Sequence, residues 1–129
     1  MNIFNLLFGG GNTSRRTVTQ GTENNILSEW KNISILISQK NPSSLKNALI
    51  NADKTLDNAL RDMVDGETMG DRLKNSERMF NRDLYNKIWE AHKIRNNLVH
   101  ESGFEPPHFV ITEAIQNLKT ALQSLGLRI

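Results

Sequence analysis

Residues 42–64, PSSLKNALINADKTLDNALRDMV, decide the fold. Leu45, Ala48, Leu49, Ala52, Leu56, Ala59, Leu60 and Met63 recur at steps of three and four, which gathers them into one nearly unbroken apolar stripe on an α-helix. Asn41-Pro42 supplies the start, because a proline loses nothing at the first helical position, where its missing N–H would be unpaired anyway. Gly66 supplies the stop. The spacing predicts a helix over Ser43–Val64, with a stripe wide enough to meet several neighbours.

The same period extends to both sides. Ile26, Trp30, Ile33 and Ile37 share a face, predicting a helix over Asn24–Gln39. Thr68-Met69-Gly70-Asp71 has the form of a capping box, predicting a short helix over Met69–Phe80 anchored by Leu73 and Phe80. A helix over Arg82–Glu101 carries Leu84, Tyr85, Ile88, Trp89, Ala91, Leu98 and Val99. Ser102-Gly103 and Pro106-Pro107 stop it, which leaves His108 in an exposed loop. Ile111, Ile115, Leu118, Leu122 and Leu125 define a last helix over Thr112–Leu125. No stretch alternates as a strand does. Short connections between amphipathic helices favour antiparallel neighbours. The expectation is all-α, an up-and-down bundle of four to five helices, with Trp30 and Trp89 as core residues.

The chain of 129 residues fits one domain, here residues 23–129. Residues 1–22 read as a flexible tail. It begins with a short apolar segment, Met1–Phe8, and continues through Gly9-Gly10-Gly11 into polar residues. That segment is too short and has no basic flank for a signal peptide. Its alternative reading is a sticky element for a partner, a second subunit or a membrane surface. No apolar run reaches the length of a membrane span. The absence of cysteine removes disulfides and thiolate metal sites and suits a reducing cytoplasm. With 16 basic and 14 acidic side chains, the net charge of +2 announces no nucleic-acid partner by itself. Any such contact needs a local patch.

The chemistry-bearing residues lie on the fourth helix. His92, Asn96 and His100 recur at intervals of four and form one row. Arg95 falls between the apolar positions Ala91 and Leu98, where a guanidinium is costly unless paired. Asp53, at the edge of the second helix's stripe, is the best partner, while Asp57 lies one turn on and points further outward. The three histidines have no zinc spacing and no carboxylate beside them at ligand distance, so no metal or cofactor is expected. Neither a nucleophile elbow nor a phosphate loop is present.

Arg95-Asn96-x-x-x-His100, on a late helix of a small bundle, resembles the R-x4-6-H signature of HEPN domains, which commonly place a polar residue directly after the arginine. The resemblance covers about residues 92–101. It implies a metal-independent endoribonuclease that works as a homodimer, or a HEPN-like module without catalysis that dimerises and binds RNA or a protein partner. On the first reading His100 is the general acid or base, Arg95 steadies charge on the phosphate, Asn96 orients, and His92 and Asp53 support. Five residues separate Arg95 from His100, roughly 140° around an ideal helix. Convergence on one phosphate then requires a helix that loosens before Gly103, or a second subunit.

Overall fold

The computed structural model describes residues 16–129. Five α-helices account for most of them: α1 Gln20–Ser38, α2 Pro42–Met63, α3 Met69–Asn75, α4 Arg82–His100 and α5 His108–Ser124, with one 3-10 turn at Glu77–Met79. No strand occurs among the described residues, and none of their helices is long and apolar enough to cross a membrane.

Helix α2 is the hub. Its stripe packs against α1, α3, α4 and α5, and Ala48, Leu49, Ala52, Leu56, Ala59 and Leu60 are wholly buried. The short α1–α2 and α4–α5 connections make antiparallel pairs, as expected for an up-and-down bundle. Trp30 of α1 is buried against α2, where its indole N–H donates to Thr55 Oγ1 at 3.0 Å. Thr55 in turn donates to the Ala52 carbonyl at 2.7 Å. The one polar atom of a large aromatic is thereby satisfied inside the core.

Four of the five helix starts carry a side-chain cap. Asn41 caps α2 by accepting from the Ser44 N–H at 2.8 Å, Thr68 caps α3 through the Asp71 N–H at 3.0 Å, and Asn81 caps α4 through the Leu84 N–H at 2.8 Å. Such side-chain acceptors satisfy N–H groups that lack an intrahelical partner. Lys40 turns the chain between α1 and α2 with φ of 56°.

The structure corrects several expected boundaries. The first helix starts at Gln20, not Asn24, because Thr19 caps it and a second helix holds that cap. The Thr19 N–H donates to Asp62 Oδ2 at 3.0 Å, and Arg16 donates to the Asp62 carbonyl and the Asp65 carboxylate. Residues 16–22 therefore belong to the bundle, and the expected tail reaches residue 15 at most. Its apolar segment, Met1–Phe8, lies outside the described residues. The third helix ends at Asn75, short of the expected Phe80, and hands over to the 3-10 turn at Ser76. The fifth starts at His108, four residues early, because Pro107 introduces the helix and does not exclude it.

Asp57 lies further outward than Asp53, as expected, with 13% of its side chain exposed against 3%, yet it is firmly held. It receives Arg72 Nε at 2.7 Å and Nη2 at 3.1 Å, and Arg72 also donates to the Gly66 carbonyl at 2.7 Å. This buried two-pronged pair fixes α3 on α2. Gly66, with φ of 149°, lies so close that an added Cβ would stand 2.9 Å from the Arg72 amide nitrogen.

Slight burial pushes the Asp62 carboxyl up, but the Thr19 N–H, the Thr22 and Thr19 hydroxyls and Arg16 outweigh it. The carboxyl is held below its ordinary value of 3.8. A group with a lowered folded pKa stabilises above its unfolded pKa and loses that contribution as pH falls through the folded one. Thermal melts recorded from pH 6 downward are therefore expected to lose stability more steeply below about pH 4 in the wild type than in Asp62→Asn, which lacks this titration.

Candidate functional site

Helix α4 buries Leu84, Ile88 and Ala91. One turn beyond Ala91 the same face carries Arg95, and the polar groups gather there. Asp53 of α2 meets them from below and is 2% exposed. His92 Nδ1 lies 2.9 Å from Asp53 Oδ2. Asn96 Nδ2 lies 3.5 Å from His92 Nε2, a long contact. Arg95 Nη1 donates to Asn96 Oδ1 at 3.0 Å, and Arg95 Nε stands 3.7 Å from Asp53 Oδ2. Four side chains from two helices thus close a ring that runs Asp53, His92, Asn96, Arg95 and back to Asp53.

Burial grades across this ring. The side chains of Asp53, His92 and Arg95 are 3%, 12% and 30% exposed. Asp53 Oδ1 and Arg95 Nε are buried without a hydrogen bond among the described residues. Arg95 Nη2 makes no hydrogen bond among the described residues, and the partial exposure of the side chain leaves the guanidinium accessible at its outer edge. Trp89 packs edge-on against the His92 ring, with centroids 6.1 Å apart, and Tyr85 packs edge-on against Trp89. Trp89 thus covers part of the His92 ring, and exclusion of water strengthens the polar contacts beside it.

His100 stands apart. Helix α4 stays regular through it, and Glu101 closes the helix with its N–H on the Asn97 carbonyl at 2.9 Å. The loosening that could swing His100 toward Arg95 is not present. His100 is exposed, and its ring has no hydrogen bond among the described residues. Of the residues singled out in the sequence, the structure brings together Asp53, His92, Arg95 and Asn96, and leaves His100 outward on the last turn. Val99 between them is 45% exposed, so an apolar side chain also reaches the surface here. His108 is exposed as the first residue of α5. The Arg72–Asp57 pair escaped the sequence reading. Its one signal was an arginine beside the anchor Leu73, one turn after the Thr68 cap.

Among the described residues no group of three or more His, Asp or Glu side chains has the arrangement of a metal site. No protein-family model, curated protein or solved structure matches this chain.

Chemically the ring can do two things. It neutralises a buried carboxylate, and it holds a guanidinium by its inner edge so that the outer edge is free for an anion. An arginine fork held this way suits a phosphate oxygen. Asp53→Ala is expected to destabilise the fold by about 1–3 kcal/mol in denaturant melts, because it leaves the inner groups of His92 and Arg95 without their acceptor. Arg95→Ala is expected to cost less, since part of that side chain is already solvated. A loss below about 0.5 kcal/mol for Asp53→Ala, the range of an ordinary surface change, contradicts this account.

Proposed function

We propose that this chain is a HEPN-like, metal-independent endoribonuclease that acts on RNA as a homodimer in the cytoplasm. The observation that carries the reading is the contrast on the last turns of α4. Arg95 is held by Asp53 and Asn96 with its outer nitrogen unbonded among the described residues, while His100, five residues on, is exposed and unpartnered among the same residues. The two diverge around the helix, so a complete site pairs the Arg95 edge of one subunit with His100 of a second copy.

In this reading a ribose 2′-hydroxyl attacks the adjacent phosphorus. His100 takes the hydroxyl proton or protonates the leaving 5′-oxygen, with water serving for the other transfer, work suited to an imidazole, whose ring nitrogens can both accept and donate a proton. Arg95 donates to the non-bridging oxygens as charge builds on them. The P–O5′ bond breaks, leaving a 2′,3′-cyclic phosphate on one fragment and a 5′-hydroxyl on the other. Asn96 steadies Arg95.

A second reading has its own observation. The ring engages Arg95 within the fold, as a purely structural clasp does. The domain is then a non-catalytic HEPN-like module that dimerises and binds RNA or a protein.

One assay separates them. The purified protein is expected to cut single-stranded RNA in the presence of EDTA, with cyclic-phosphate ends, and to spare DNA, which has no 2′-hydroxyl. His100→Ala is expected to abolish cleavage while leaving the melting temperature within about 2 °C, because a residue exposed on the last turn contributes little packing. Absence of cleavage on every RNA tested, together with weaker self-association of His100→Ala, supports the module and sinks the nuclease.

A further inference from the structure

The two ends of the ring are chemically one-directional. A carboxylate only accepts hydrogen bonds, and a guanidinium only donates them. Arg95 Nη1 therefore faces the oxygen of the Asn96 amide, at 3.0 Å. That choice turns the amide nitrogen toward His92 Nε2, at 3.5 Å. Nε2 must then act as acceptor, while Nδ1 carries the proton given to Asp53 Oδ2 at 2.9 Å.

We infer that His92 is a positioning residue, held neutral with its proton on Nδ1, that passes the polarity of buried Asp53 through Asn96 to orient the outer edge of Arg95 toward a phosphate-bearing ligand. The phosphate part of this assignment rests on the ribonuclease reading; the proton assignment does not. The reason is the consistency of the ring. Each of its three hydrogen-bond contacts has one donor and one acceptor only in this protonation state. A proton on Nε2 would face the Asn96 amide hydrogens. The amide would then have to turn over and set its NH2 against the guanidinium, which can only donate, and Arg95 would lose its grip on Asn96. The charged groups that face the imidazole are Asp53 from α2 and Arg95 from its own helix, with uncharged Trp89 against the ring. A histidine whose second nitrogen fixes the state of the first is a common device for orienting a functional group.

The test is long-range proton–nitrogen correlation NMR of the histidine side chains in the full chain at pH 7.5. His92, assigned through its loss in His92→Gln, is expected to show the neutral tautomer protonated on Nδ1. In Asn96→Asp both neighbours of the ring become acceptors, so His92 is expected to shift to the doubly protonated form at the same pH. Circular dichroism checks that this variant stays folded. A wild-type His92 protonated on Nε2, or doubly protonated, overturns the inference. So does a folded Asn96→Asp in which the ring nitrogens keep their wild-type shifts. Neither result depends on RNA cleavage. Failure of the nuclease reading alone would leave the Nδ1 proton in place and remove only the phosphate from the assignment.

Discussion

A single buried carboxylate, Asp53, sets the terms for this bundle. It sits at the middle of the hub helix, almost fully removed from water. An unpaired charge there would cost several kcal/mol. The fold answers with His92 and Arg95 from α4 on the same oxygen, and Asn96 joins those two to each other. The arrangement pins the register between α2 and α4, since it sets His92 Nδ1 and the Arg95 guanidinium over one Asp53 oxygen. Apolar packing alone is more permissive, because a stripe of Leu and Ala tolerates a slide better than a network of directional bonds does.

The pattern repeats along α2. Asp53 holds α4, Asp57 holds α3 through Arg72, and Asp62 caps the start of α1 through the Thr19 N–H. Three acidic residues on one helix each brace a different neighbour. The apolar stripe supplies the driving force, and these carboxylates decide where each neighbour stops. They differ in their exposure to solvent. Asp62 lies near the surface and responds to acid, whereas Asp57 and Asp53 are enclosed.

The helices were legible because their signals are local. Caps such as Asn41 and Thr68 and the period of Leu45 through Met63 need no knowledge of the rest of the fold. The start of α1 was misplaced because its cap is completed by Asp62, more than forty residues away, which no local pattern contains. His108 was assigned to a loop because two prolines read as a stop, and only the chain path showed Pro107 leading into a helix. At the candidate site, Asp53, His92, Arg95 and Asn96 were each named from polarity on an apolar face. Their closure into a ring was not legible, because it depends on how α2 and α4 pack. The divergence of Arg95 and His100 was legible from helical geometry alone, and the regular end of α4 preserves it.

The ring matters for function because it turns a structural necessity into an oriented group. A guanidinium buried by its inner edge and open at its outer edge is stabilising and available at once. The central claim is that the four side chains act as one unit. It is tested most directly by a double-mutant cycle on Asp53→Ala and Asn96→Ala, two residues joined only through His92 and Arg95. The account predicts a coupling of about 0.5–3 kcal/mol in denaturant melts, the range for members of one hydrogen-bond network. Effects that add to within about 0.3 kcal/mol, as independent sites do, would contradict it.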